Sequence, residues 1–144
     1  MTTDYTQAVN ERLKDTMADL IGLRVTHAEL KRVTGEITVR TDLTQPYGYI
    51  HGGALMTLMD TVAGMASALN VGPGEGFLTV EFKINFLRSV RQGRIVAEAT
   101  AVHIGRRTHV WQVTAHDEEG RQLALASLTQ LVIELRDEVP QGHP

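Results

Sequence analysis

The chain has 144 residues, 42% of them hydrophobic and 22% charged, which fits one domain with a real core and falls short of what two cores need. A net charge of −3 gives no electrostatic case for nucleic acid or an anionic membrane as the main partner. The lack of cysteine excludes a disulfide framework, a thiolate metal site and a thiol nucleophile.

Residues 4–21 carry Tyr5, Ala8, Val9, Leu13, Met17, Leu20 and Ile21 at spacings of mostly three and four, which predicts one amphipathic helix lying on the body of the domain. This N-terminal stretch mixes acids and bases and has no apolar core of a signal peptide. With the run at 54–69 broken by Asp60, the expectation is a cytoplasmic protein that does not span a membrane. Residues 24–42 are rich in Val, Thr and Ile around a break at Thr34-Gly35 and predict two strands or a bent hairpin. Next comes "QPYGYIHGGALMTLMDTVAG", residues 45–64. Turn formers lead through His-Gly-Gly into a helix over about 51–70 that is apolar nearly all round, and such a helix is enclosed. "LNVGPGEG" at 69–76 reads as a loop. In residues 77–87, Leu78, Val80, Phe82, Ile84 and Phe86 alternate with Thr79, Glu81, Lys83 and Asn85, which predicts a strand with one buried and one polar face. Strands are expected at 93–104 and 107–117, then a turn at 118–120, a last strand to about Leu135, and a flexible tail over 136–144. Short links between consecutive strands imply antiparallel pairing. The class is therefore α+β in a single domain over 1–144, with one antiparallel sheet curled around the central helix.

The helix segment "HGGALMTLMDTVAG", the strand "FLTVEFKINFLRSVRQG" and the later "AVHIGRRTHVWQVTAHDEEGRQLALASLTQ" resemble the hotdog-fold acyl-CoA thioesterases of the phenylacetate-pathway (PaaI-like) type, in the 4-hydroxybenzoyl-CoA thioesterase superfamily. His-Gly-Gly with an acid nine positions after the His and an amide six before it is the pattern of that family. Here these are His51, Asp60 and Gln45, with Gln standing where such enzymes more often carry Asn. The resemblance implies hydrolysis of an aryl- or medium-chain acyl-CoA to free acid and coenzyme A, with no metal or cofactor beyond the coenzyme A of the substrate. It also implies dimers that pair again into tetramers.

The residues suit that chemistry. Thioester hydrolysis needs donors that polarise the carbonyl and an attacking oxygen activated by a base, or a side-chain nucleophile. Gly52 and Gly53 stand at the start of the helix, where N–H groups lack intrahelical partners and the macrodipole favours developing negative charge; Gly-Gly also simply permits a tight turn. Asp60 is costly to bury in an apolar helix and is either a structural carboxylate or the base or nucleophile. Gln45 could hold water or the thioester, or serve only the turn. Thr79 matches the hydroxyl residue that assists the acid in similar enzymes, and His51 reads as structural or orienting. Six basic residues, Lys83, Arg88, Arg91, Arg94, Arg106 and Arg107, stand against Glu98 alone between 83 and 107; they make a candidate cradle for coenzyme A phosphates, with Arg88 and Arg106 favoured.

Gly52 and Asp60 are eight residues apart, about 12 Å along a helix, whereas donors and attacking group must both lie within roughly 3 Å of the reacting atoms. One helix cannot serve one carbonyl with both. Two chains about a two-fold axis can, and each pair then holds two sites. Two other readings use the same fold: a hotdog dehydratase or hydratase, and a non-catalytic acyl-CoA-binding sensor.

Overall fold

A computed structural model describes residues 2–136; the tail expected over 136–144 lies, beyond Arg136, outside the described residues. The order is α1 (Thr6–Leu13), α2 (Met17–Leu20), β1 (Arg24–Glu29), β2 (Arg32–Thr38), a 3-10 turn (Thr41–Leu43), α3 (Gly52–Ala68), then β3 (Glu75–Phe86), β4 (Arg94–Ile104), β5 (Thr108–His116) and β6 (Gln122–Glu134). The strands form one six-stranded antiparallel sheet, order β1-β2-β4-β5-β6-β3, packed on α3. This is the α+β hotdog fold. Among the described residues no helix is long and apolar enough to cross a membrane.

The sheet grips α3 because its inner face is graded in size. Ala97, Ala99, Ala115, Ala124 and Ala126 leave room for the helix backbone, and Leu58, Met59 and Val62 fill the space against Ile37, Ile95 and Trp111. At Gly35, within β2, an added Cβ would stand 2.8 Å from Val62 Cγ1, so this glycine is a close-approach position. The expected break at Thr34-Gly35 is corrected accordingly: the turn is at Leu30-Lys31, and Gly35 pairs inside the strand with Val25 and Ala97. The N-terminal helix expected over 4–21 is also two pieces. Asp15 has φ 60°, a left-handed conformation that no helix continues through, and it lets Asp19 Oδ2 accept from its own N–H at 3.0 Å. Past the break the apolar face rotates, so Ala18 and Ile21 are buried while Met17 and Leu20 are exposed.

The two sheet edges differ. At β1 the chain supplies its own cover: Asn10 on α1 accepts from Val25 N–H at 2.9 Å and donates to Val25 O at 2.8 Å, and Tyr5 N–H donates to Ala28 O at 2.8 Å. Asn10→Ala leaves both Val25 backbone groups without these partners, and is expected to cost about 1–3 kcal/mol, read as a lower urea midpoint at unchanged m-value. At the other edge β3 has no such cover among the described residues, and Leu78 and Val80 on it are 55% and 59% exposed.

β3 also departs from strict alternation. Its register with β6 slips between Thr79 and Glu81, where Thr79 faces Gln130 and Glu81 faces Thr129, leaving Val80 as the extra residue of a bulge. The face toward the helix therefore runs Phe77, Thr79, then Phe82, Ile84 and Phe86, opposite Val132, Gln130, Leu128, Ala126 and Ala124 in turn. Leu78 and Val80 are not on a buried face, contrary to the alternation, and Thr79 is not on the polar one.

Candidate active site

Two clusters of polar groups lie along α3 and the segment before it. The first is the N-terminal end of α3, set by that segment. His51 N–H donates to Leu43 O and Ile50 N–H to Val90 O, each at 2.8 Å, with Leu43 and Ile50 buried. A bridge between Thr44 and Ile50 closes a turn over 45–49. Gln45 serves that turn: its N–H donates to Tyr49 O, its carbonyl accepts from Gly48, and its Oε1 accepts from Tyr47 N–H. Gly48 has φ +86°, and its missing Cβ makes room for Arg91. The Arg91 guanidinium donates to Tyr47 O at 2.8 Å and sits 4.0 Å from the Tyr49 ring centroid.

His51 is the N-cap of α3, its Nδ1 accepting from Gly53 N–H at 2.8 Å. The ring is thereby fixed in the tautomer with its proton on Nε2. Gly53 N–H is consumed by this cap, so of the two glycines only Gly52 keeps an N–H with no partner among the described residues. No acid stands in the first turn, so the positive end of the helix is uncompensated there. Phe86 packs on Gly52, where an added Cβ would lie 3.1 Å from its ring.

The second cluster is at mid-helix. Asp60 Oδ1 accepts from Thr79 Oγ1 at 2.9 Å, and Thr79 Oγ1 accepts from Gln130 Nε2 at 3.1 Å. The β3 bulge makes this possible, because strict alternation through Val80 would put Thr79 on the opposite face from Phe82. Asp60 is half-buried, its Oδ2 has no partner among the described residues, and it lines a hollow of ≈ 220 Å³ with Met56, Thr57, Thr79 and Phe82. A carboxylate held by one oxygen and open on the other can accept a proton or attack.

The structure thus brings Asp60 and Thr79 together, and sets His51, Gly52 and Gly53 at the N-terminal end of α3 with Gln45 in the turn before it. Arg88 follows β3 and Arg106 lies in the β4–β5 turn; both are exposed. Neither has a carboxylate within ion-pair distance among the described residues, whereas Arg94 is held by Glu36 at 3.7 Å. Residue chemistry alone did not single out Ser67, His109 or Gln130, which are buried behind the Asp60 cluster. A signal existed: Ser67 and Gln130 interrupt apolar runs as Asp60 does. Among the described residues no three His, Asp or Glu side chains stand close enough to hold a metal ion.

Comparison with known proteins agrees with this architecture. A family model described as thioesterase superfamily matches residues 47–124, which include both clusters apart from Gln45 and the Gln130 that backs Thr79. The chain is 30% identical over 113 residues to a 1,4-dihydroxy-2-naphthoyl-CoA hydrolase of Listeria monocytogenes, covering 78% of this chain and 92% of that one. It is 29% identical over 126 residues to the proofreading thioesterase EntH of Klebsiella pneumoniae, covering 88% and 92%. The crystal structure of a mutant thioesterase from Pseudomonas aeruginosa superposes with a TM-score of 0.86 at 33% identity, over 90% of this chain and 94% of that one.

Proposed function

The chain belongs to the thioesterase superfamily, a family of thioester hydrolases, and from that premise we propose that it cleaves an aryl- or medium-chain acyl-CoA in two sites shared by a homodimer. Gly52 of one copy polarises the thioester carbonyl through its free N–H at the positive end of α3. Asp60 of the second copy acts as base or nucleophile. As base, its carboxylate takes a proton from water while the water oxygen bonds to the carbonyl carbon. The C–S bond then breaks and the proton passes to the departing thiolate, giving carboxylic acid and coenzyme A. Thr79 holds Asp60 in place, and His51 fixes the helix end and offers its Nε2–H outward. Gln45 would need to release Tyr47 to reach water or substrate.

One observation carries this reading. The open carboxylate and the free N–H stand on one helix, eight residues apart, so each protomer holds two halves that cannot serve the same carbonyl. The uncovered β3 edge, with Leu78 and Val80 exposed, supports a second copy as its cover, since a bare apolar edge strand is otherwise an aggregation liability. The hollow beside Asp60 contains Met56 and Phe82, an apolar lining suited to an aryl or alkyl acyl group. The names of the Listeria and Klebsiella relatives support the same substrate class. Lys83, Arg88, Arg91, Arg106 and Arg107 have no carboxylate partner among the described residues and supply cations for the coenzyme A phosphates, Arg88 and Arg106 among them. Membership of the PaaI-like branch, assembly of two dimers into a tetramer and a cytoplasmic location belong to the same proposal. Its test is release of free thiol from a panel of aryl- and alkyl-CoA thioesters; binding of acyl-CoA with no thiol release from any of them contradicts it.

A further inference from the structure

Behind Thr79 the core holds a chain of polar side chains drawn from three elements. Ser67 on α3 and Gln130 on β6 are fully buried, and His109 on β5 is 1% exposed. Trp111 Nε1 donates to Ser67 Oγ at 2.8 Å, His109 Nδ1 lies 2.9 Å from the same oxygen, and Ser67 Oγ donates to Gln130 Oε1. Gln130 Nε2 then donates to Thr79 Oγ1 and Thr79 Oγ1 to Asp60 Oδ1. α3 comes close to the amide at Gly64, where an added Cβ would lie 3.9 Å from Gln130 Nε2 and 3.1 Å from the Phe77 ring. No buried side-chain polar atom among the described residues lacks a partner. A network closed at every atom yet ending on a half-open carboxylate does more than satisfy the core.

Proton counting gives it a direction. An indole only donates, so Ser67 Oγ always accepts from Trp111; a serine has one proton and two lone pairs. With a proton on His109 Nδ1, the second lone pair of Ser67 is taken and its proton goes to Gln130 Oε1. The amide then turns Nε2–H to Thr79, and the one proton of Thr79 is left for an ionised Asp60. With Nδ1 bare, Ser67 donates to it and the amide is reversed. Thr79 must then donate to Gln130, and Asp60 keeps its bond only by being protonated. The amide has the first orientation, with Oε1 toward Ser67 and Nε2 toward Thr79.

We infer that Gln130 is a positioning residue: backed by Ser67 and Trp111, it aims the Thr79 hydroxyl proton at the Asp60 carboxylate, with the tautomer of His109 coupled to it from the far end. The inference rests on the proposed role of Asp60 only for its effect on turnover. The other side chains around Asp60, from α3 and β3, are Met56, Thr57, Thr79 and Phe82, none of which titrates near neutral pH. Around His109, burial lowers the pKa, the Gly105 carbonyl raises it, His103 lowers it and Glu75 raises it.

The test follows the Asp60 carboxyl by 13C NMR in the full-length protein, assigned by its loss in Asp60→Asn, together with kcat and KM on an active acyl-CoA. In Gln130→Met the midpoint is expected to rise, because the Thr79 hydroxyl loses the partner that orients it toward the carboxylate. At neutral pH kcat falls about tenfold with KM within about twofold, as expected for a displaced reacting group. Ser67→Ala frees the amide to turn and shifts the midpoint the same way by less. A third measurement needs no variant: in the wild type, 15N NMR of the His109 ring shows Nδ1 losing its proton at the pH where Asp60 gains one. Unmoved Asp60 midpoints in folded Gln130→Met and Ser67→Ala, or a His109 ring that is silent at the Asp60 midpoint, overturn the inference. A wild type that titrates as stated but hydrolyses no thioester leaves the positioning intact and removes the proposed function.

Discussion

Asp60→Asn is expected to lower kcat for acyl-CoA hydrolysis about 10³-fold, within the range that a positioned base contributes and equal to about 4 kcal/mol of barrier. KM should stay within about threefold, because the side chain acts on water and not on the bulk of the substrate. The fold should survive. Asn retains an oxygen to accept from Thr79, replacing the 2.9 Å bond, and removing a half-buried charge relieves a desolvation cost. Thiol release on stopped or continuous assay, with circular dichroism as the folding control, checks both parts; a folded variant as fast as the wild type removes Asp60 from the mechanism.

Val80→Lys should have the second large effect, through assembly. Val80 is the bulged residue of the uncovered edge and is 59% exposed in the protomer, so the substitution leaves the core around α3 alone. In a two-fold dimer joined along β3 it places two like charges at the join and buries them, at several kcal/mol for each ion. The dimer dissociation constant should rise by about 10²-fold or more. Activity should fall with dimer concentration, since in the proposed shared site a lone protomer holds two halves that cannot serve the same carbonyl. Sedimentation and specific activity measured over the same dilution series test this, and an active monomer would contradict it.

How much of this was legible in the residues varies by feature. The central helix was expected at about 51–70 and runs Gly52–Ala68, because its caps and apolar content are local properties of the chain. The antiparallel sheet followed from short links. The bulge at Val80 was hidden, because a slip of register is a relation between two strands and β3 alone shows a clean alternation. Gly35 looks like a break for a similar reason: a glycine required by Val62 on α3 looks, in its own strand, like one required by a turn. The break at Asp15 lies in a helix whose i, i+3 pattern continues across it.

The site divides along the same line. Asp60 was visible because a charged residue in an apolar helix is a local contradiction. Ser67 and Gln130 are milder contradictions of the same kind, and only their meeting behind Thr79 gives them meaning. That His51 would occupy the N–H of Gly53 and leave that of Gly52 free depends on a side-chain rotamer, which residue order does not contain. Arg91, held against Tyr47 and Tyr49, could not be separated from the other basic residues until the 45–49 turn was placed beside it.

The shared site itself is tested by mixing two inactive variants, Asp60→Asn and Gly52→Pro. Proline is accepted at the first position of a helix and removes the N–H, and Phe86, 52% exposed, can move aside for the ring. After exchange of subunits, half of the dimers are mixed and each mixed dimer has one site with an intact Gly52 and an intact Asp60, so about a quarter of wild-type activity should return. A mixture whose subunits have exchanged, by mass spectrometry, and which stays as inactive as its components would contradict a site built from two chains.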